Sequence, residues 1–526
     1  MNTLSNETAQ EPVQQVRTVG RSPSRRDRYN DKELQWKFKR DCLVYIVTVI
    51  AALAYYAWCL RYANYQYWYA VALYLVAEAL CVGSLILWGL MMMQRRDHSP
   101  EGLKLQEPPQ PVDIIVTTCG EPFEVIEMTL RAVAGIEYPE FQVTVADDRS
   151  TPEVEALCHE LGFTHLCRAT HVHRKAGNLN HALAHTMQPF LMTLDADQIC
   201  HPEILRRLTG YFAVPRIAFV QSYQNFDVSE GDPWANRDLV FYGSMQPSRN
   251  ASSSAISCGS GVIYRRAALD QIGGFSTWNV VEDLYTSLLL HAAGWRSVYH
   301  PHPLSHGTMP QEIAGQVRQR WQWALDSMRL FFWRCPLFTR GLSWRQRTNY
   351  FNFGYHYLVF GIAYPIFFLL PAWGLFSGEF IIKAPAWEFI LWRLPYFLAF
   401  LLFNRLITDG RHTVKEFRAQ VGLFMVFLSA IVSALLARRH IPRYVVTRKS
   451  SVKLSLGDRV QHVLAHLFVM VLSLIGIVYG FFHRGEHTGF YLLNTVCALW
   501  IIWLLLPFTI LALRASPASA HEPRRP

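Results

Sequence analysis

The sequence predicts an α/β domain, facing the cytoplasm, inserted in a helical membrane domain of about six spans with amphipathic interfacial helices beside them. Only 17% of the 526 residues are charged, against 51% hydrophobic, where a soluble protein carries about 25% charged residues. Mean hydropathy is nonetheless only +0.10, so the apolar excess is local. Long charge-poor runs flank a middle segment in which short apolar runs alternate with helical ones. A wholly soluble enzyme, a disordered chain and a disulfide-rich secreted module are excluded. The ten cysteines contain no C-x-x-C pair, which suits scattered reduced thiols.

The elements follow in order. A polar, basic tail over 1–41 precedes the first apolar run by too great a distance for a signal peptide. Residues 42–93 read as a helical hairpin: 42–60 carry no charge and 67–93 carry one, Glu78. Basic residues flank both ends of the hairpin, Gln94-Arg95-Arg96 following it, which places both ends in the cytoplasm. In the segment 97–340, VDIIVTT (112–118), FQVTVADD (141–148) and FLMTLDAD (190–197) read as strands of a largely parallel sheet. Four further spans are expected near 353–376, 385–404, 463–482 and 489–513, in two pairs within 350–404 and 463–513. The charge-free run 419–437, within 411–459, has basic residues on both sides and separate bulky and small faces. It reads as an interfacial helix, since spanning would turn the basic segment 438–459 outward. A cytoplasmic tail, 514–526, closes the chain.

Acidic residues stand where strands of the middle segment end: Asp147-Asp148, then Asp195-Ala196-Asp197. Carboxylates at the C-terminal edge of a parallel sheet face the ligand crevice of such folds. An Asp-x-Asp on extended backbone turns two hard oxygen donors the same way, which suits Mg²⁺ or Mn²⁺ carrying a diphosphate. Alone it is a weak signal, because many such pairs are solvated turns. His173-Arg174-Lys175-Ala176-Gly177-Asn178-Leu179-Asn180 adds a basic cluster at a helix start. Cys258-Gly259-Ser260-Gly261, Val281-Glu282-Asp283 and Arg320-Trp321 follow in that order. Each has an ordinary structural reading: a capped helix, an acidic helix start, a membrane-surface helix.

Taken together, and followed by membrane helices, these motifs resemble the processive family 2 glycosyltransferases, in particular bacterial cellulose synthase and the related curdlan and mixed-linkage glucan synthases. Tyr444-Val445-Val446-Thr447-Arg448-Lys449 resembles that group's gating loop, with Tyr for the usual Phe. The resemblance covers roughly 40–513. It implies a GT-A-like (Rossmann-like) catalytic domain that polymerises a nucleotide-activated sugar, UDP-glucose being the family-weighted expectation, and exports the chain. It further implies that Thr117, Glu121 and Asp148 line the nucleoside pocket, that Lys175 meets the donor, and that Asp195 and Asp197 hold nucleotide and metal, Mg²⁺ or Mn²⁺. Asp283, beside Glu282, is then the general base. Arg320 stabilises the departing diphosphate, Trp321 stacks on the acceptor sugar with Cys258 and Gly259 nearby, and Tyr444, Val446, Thr447 and Lys449 close over the nucleotide. The implied partners are the donor, the growing polysaccharide, the bilayer of the bacterial inner membrane and a periplasmic or outer-membrane export protein; nucleic acid is not among them. The alternative within enzymes is a non-processive transferase acting on a polyprenyl phosphate or glycolipid.

Three departures are visible. Val281 stands where the family's T-E-D has Thr, and Val317 where its Q-x-x-R-W has Gln. The short tail SPASAHEPRRP after the last span leaves no room for a cyclic-di-GMP-binding PilZ domain.

Overall fold

The structure, a computed structural model, describes residues 32–93, 109–310, 312–411, 414–438, 454–483 and 487–514. The gating motif at 444–449 lies outside the described residues.

The middle of the chain folds around an eight-stranded sheet. Its strands are β1 (Val112–Thr118), β2 (Phe141–Asp147), β3 (Thr164–Leu166), β4 (Phe190–Asp195), β5 (Gln198–Cys200), β6 (Ile217–Asp227), β7 (Val262–Arg265) and β8 (Arg296–Thr308), in the order β3-β2-β1-β4-β7-β6-β8-β5. The expectation of a largely parallel sheet holds for one half. β3, β2, β1 and β4 run parallel, but β7 lies antiparallel between β4 and β6, and β5 antiparallel to β8. The sheet is therefore mixed. β7 is only four residues long and lies between C-G-S-G and a helix, so its direction left no periodic trace.

β1 is buried along its whole length, as a central strand covered on both faces should be. Ile114 and Val116 join Ile126, Leu130, Val145 and Leu194 in one apolar layer, while Ile115 packs with Leu179, Phe219 and Leu290 on the other face. Register aligns the acidic strand ends: Thr117 is opposite Asp195 on β4, and Thr118 opposite Asp147 on β2.

Among the described residues six helices are long and apolar enough to cross a bilayer: Lys39–Tyr62, Tyr65–Met92, Trp344–Ser377, Ala386–Ile407, Leu456–His483 and Thr488–Leu513. The chain is a multi-pass membrane protein in outline. The third carries a π-helical turn at Val359–Ala363 and Pro371, both ordinary sources of helix bending. The run around 419–437 forms two segments, Val414–Gly422 and Phe424–Leu436, bent by 48°. Both its ends touch the α/β domain. Lys415 donates to the Gly231 carbonyl (3.0 Å), while the Ala434 and Ala437 carbonyls accept from Trp333 and Arg329 (2.7 and 3.3 Å).

Candidate active site

A single cavity of about 1970 Å³ starts at the C-terminal edge of β1 and β4 and continues among the membrane helices to Phe380 and Ile381. Thr117, Glu121, Asp148, Lys175, Asp195, Asp197, Cys258, Asp283 and Arg320 all line it. Nine residues spread over two hundred positions of sequence are thus brought to one space.

At the nucleoside end, Asp148 is gripped by Arg168, whose guanidinium donates to both carboxylate oxygens at 2.5 and 2.7 Å. The same Arg168 donates to the carbonyls of Val172 and Arg174 (2.7 and 2.8 Å), so it ties β2 to the basic loop. Fork geometry of that kind fixes orientation as well as charge. Gly177 is needed here: a Cβ would stand 2.1 Å from the Val172 carbonyl oxygen. Glu121 Oε2 accepts the Cys119 backbone N–H at 2.6 Å, which holds the turn after β1.

Lys175 is the electrostatic hub. Its Nζ lies 2.6 Å from Asp195 Oδ1 and 3.2 Å from Glu282 Oε1, and donates to the Gly259 carbonyl at 3.0 Å. Burial alone would lower the Lys175 pKa, but the Asp195 and Glu282 charges outweigh it and hold the ammonium protonated. Gly259 adopts φ +74°, and a Cβ there would meet both Lys175 Nζ and Glu282 Oε1 within about 3.1 Å. The C-G-S-G loop is set from behind: the Ser260 hydroxyl accepts the Asp195 N–H (3.0 Å), and Gln221 and Gln224 of β6 donate to the Ser260 carbonyl (3.0 and 2.6 Å).

Asp283 opens the helix Asp283–Ala292 and accepts the Leu284 N–H at 2.5 Å. Burial, then the charge of Glu282, pushes its carboxyl up to about 7, with Lys175 pulling the other way. That is the range in which a carboxylate works as a general base near neutral pH. Asp197 accepts from the Thr308 hydroxyl at 3.0 Å and is 9% exposed. Asp195 and Asp197 offer the paired hard oxygens that a divalent cation bound to diphosphate requires, and both face the cavity, so the residues fit Mg²⁺ or Mn²⁺. Asp147, His165 and Cys167 also converge. There the Asp147 oxygens are engaged by the Arg149 and Thr151 N–H groups, the Thr118 hydroxyl and His165. This cluster latches the β2 turn.

Three of the expected site residues, Glu282, Gly259 and Trp321, are not among the residues that line the cavity. Trp321 packs half-buried against the apolar cluster that includes Phe427 and Ile431. Trp323 lines the cavity instead, under the Arg320 guanidinium at 4.8 Å. The physical reason is helical: residues two apart point to nearly opposite sides, about 200° apart. The spacing supports the reassignment, since Gln319 and Trp323 stand five positions end to end as in Q-x-x-R-W, with Gln322 in the place of Arg. Counted in that register, Val317 falls outside the motif. Arg320 remains in the cavity and pairs with Asp238 at 3.0 Å. Asp238, Arg168 and Asp326 were not singled out from the sequence. Asp326 accepts the N–H groups of Val280 and Val281 (3.0 and 2.7 Å) from a helix one would read as merely amphipathic.

A curled mixed sheet with an Asp-x-Asp at its edge, a buried acid opening the next helix and a cavity leading into membrane spans define a GT-A-type glycosyltransferase fold. Comparison with known proteins agrees. The profile described as Glycosyltransferase like family 2 matches residues 108–325, and that described as Cellulose synthase matches 270–408. Cellulose synthase 1 of Komagataeibacter xylinus is 33% identical over 305 residues, 55% of this chain and 20% of that protein. The cellulose synthase catalytic subunit [UDP-forming] of Komagataeibacter sucrofermentans is 28% identical over 425 residues, 76% of this chain and 55% of the relative. That of Pseudomonas fluorescens is 29% identical over 328 residues, 60% and 44%. The chain thus spans between a fifth and about half the length of these relatives. The mannosyltransferase PcManGT of Pyrobaculum calidifontis, solved with GDP-Man and Mn²⁺, shares the fold at TM-score 0.52 and 19% identity, covering 70% of this chain and 100% of its own. The chain belongs to the cellulose-synthase-like family 2 glycosyltransferases.

Proposed function

We propose that the protein is a processive, inverting hexosyltransferase of the bacterial inner membrane. Both its termini are cytoplasmic, and it polymerises a nucleotide sugar, UDP-glucose first, into a β-glucan and passes the chain outward. The observation that carries this reading is the continuity of the cavity. The space lined by Asp195, Asp197 and Asp283 runs without a break past Trp323 and among Tyr74, Arg393, Tyr396 and Trp500 of the spans. A space that leads from the transfer site into the spans suits a growing chain that leaves by the membrane side.

In this reading Thr117, Glu121 and the Arg168-clamped Asp148 receive the nucleoside. Asp195 and Asp197 would hold a divalent cation, which would neutralise the diphosphate and make it a better leaving group. Lys175, already between Asp195 and Glu282, holds positive charge beside that group, and Arg320 adds a second cation from the helix Ile313–Trp333. Trp323 presents a ring face to the acceptor sugar, with Cys258 on the adjoining wall and the Gly259 carbonyl behind it held by Lys175. Asp283 takes the proton of the acceptor hydroxyl as it attacks the anomeric carbon from the side opposite the departing diphosphate. A single displacement inverts the anomeric centre. Tyr444, Val446, Thr447 and Lys449 belong to this reading as the nucleotide-covering loop, by motif alone.

The test is reconstitution of the purified full chain in lipid vesicles with each radiolabelled nucleotide sugar and Mg²⁺ or Mn²⁺. Labelled polymer that linkage-specific β-glucanases digest supports the reading. Label found only in a single-sugar lipid product would replace it with the non-processive alternative.

A further inference from the structure

Val280, Val281, Glu282 and Asp283 form the turn that delivers the base, and nothing within the turn itself holds its first half. The hold comes from the neighbouring helix Ile313–Trp333. Asp326 is 3% exposed, and its two carboxylate oxygens accept the Val280 and Val281 N–H groups at 3.0 and 2.7 Å. One turn on, Arg329 is 1% exposed and lies 4.6 Å from the centre of the Trp278 ring. It donates to the Trp278 carbonyl (2.9 Å) and the Asn279 side-chain oxygen (3.2 Å). Four consecutive residues before the acidic pair are therefore tied to one helix by two buried side chains three residues apart, the spacing of neighbours on a helix surface. The same helix carries Arg320 and Trp323, each again three residues apart.

We propose that Asp326 is a positioning residue: by accepting both amide hydrogens it fixes the turn, and so the place of the Asp283 carboxylate relative to the acceptor bound against Trp323. This rests on the reading of Asp283 as the base. Burial pushes the Asp326 carboxyl up to about 7, against the pull of the two N–H groups; in its ionised form it is a directional restraint, because charge-assisted hydrogen bonds are shorter and stiffer than neutral ones. It also makes Val281 intelligible. Where the family has a threonine, this chain has no hydroxyl to order the turn, and Asp326 orders it from outside through the backbone.

The two variants that test this are Asp326→Asn, which keeps the shape but sets an N–H₂ against a backbone N–H, and Asp326→Glu, which keeps the charge but displaces it by a methylene. Both are assayed as the full chain in vesicles with UDP-glucose, alongside calorimetric titration with UDP. Misplacing a reacting group by about 1 Å costs up to about a hundredfold in rate. The expected result is a fall in kcat of at least about tenfold in both variants, with donor KM and UDP affinity within about twofold of the parent. A kcat within twofold of the parent in either folded variant overturns the proposal. So does a parallel loss of kcat and UDP affinity in both, which would make Asp326 a fold-holding residue only. Asp283→Asn, run in the same assay, separates the two levels. If it is inactive while Asp326→Asn turns over within twofold of the parent, positioning by Asp326 fails and the base assignment stands. If Asp283→Asn turns over at the parent rate, the base assignment fails and the positioning inference falls with it.

Discussion

At its α/β end the cavity is walled by Asp148, Lys175, Asp195, Asp197, Asp283 and Asp326. Among the spans its walls are Tyr74, Phe367, Tyr396, Phe400 and Trp500, with Glu78 and Arg393 paired to each other at 2.8 Å. The first region holds each group by short, directional contacts: Lys175 by three oxygens, Asp326 by two backbone N–H groups, Asp148 by a two-pronged guanidinium. The second presents aromatic side chains, which under the proposed function would hold a passing sugar loosely. Under that function the difference matches two tasks. Bond formation gains from reacting groups fixed to within fractions of an ångström, whereas passage requires sites weak enough to be left as readily as they are filled.

The sharpest way to break this comparison is to disable the directional end. Asp283→Asn and Asp197→Asn should each lower turnover by at least about a hundredfold, the low end for general acid–base help. Calorimetric titration with the nucleoside diphosphate should separate them. Asp197→Asn weakens metal-dependent binding, whereas Asp283→Asn leaves it nearly intact. Equal loss of binding in both would mean that the two acids do not divide the work as assigned.

The boundary between the regions runs through the two tryptophans. Trp323→Ala should reduce polymer synthesis by about tenfold, a stacking contribution near 1.4 kcal/mol, with donor binding retained. Trp321→Ala should leave the transfer rate close to the parent and lower the melting temperature by a few degrees, since it removes half-buried packing worth roughly 1 kcal/mol. The reverse pattern would restore Trp321 to the acceptor site.

A pH profile probes the directional end without replacing the base. As the proposed base Asp283 acts ionised, and burial together with the Glu282 charge holds its carboxyl at about 7. The ratio kcat/KM should therefore rise with pH through about 7, and lie about tenfold below its plateau at pH 6. Glu282→Gln removes a like charge and leaves Lys175 nearer to Asp283 in net effect. Both changes favour the ionised base, so the rising limb should move to lower pH. A limb that stays in place would detach Glu282 from the electrostatics of Asp283.

What the sequence disclosed follows the same division. The acidic strand ends were legible because apolar runs of β1, β2 and β4 stop abruptly at Asp147, Asp148, Asp195 and Asp197, and a parallel sheet sends all such ends to one edge. The spans were legible by length and lack of charge. The tryptophan register was not, because Arg320-Trp321 and Gln322-Trp323 compete for one motif and only the helix face distinguishes them. Asp326 was invisible for a related reason: its partners are backbone N–H groups, which leave no mark in side-chain pattern. The antiparallel β7, four residues long, carries no usable period.

The weakest expected effect lies in the tolerant region, at Arg393. Its Nη1 donates to both oxygens of Glu78, which is 1% exposed, while about a third of the Arg393 side chain is open to the cavity. The guanidinium also lies near the Tyr55 and Tyr396 rings, at 4.9 and 5.4 Å from their centres. It is thus both a structural ion partner and a wall of the passage, and a single substitution confounds the two. Arg393→Leu would leave Glu78 buried without its counter-ion, a loss of about 3–5 kcal/mol, and polymer yield could fall through instability alone. Removing both charges, as Glu78→Gln with Arg393→Leu, avoids that. In the double variant polymer yield should drop about threefold, the low end for losing one net hydrogen bond to a passing sugar hydroxyl. Donor hydrolysis and the first transfers to short acceptors should continue at the parent rate, because both occur at the far end of the cavity. Full-length polymer at the parent yield, from a folded and membrane-inserted double variant, would leave the pair with a structural role only, and would mean that the aromatic walls suffice for passage.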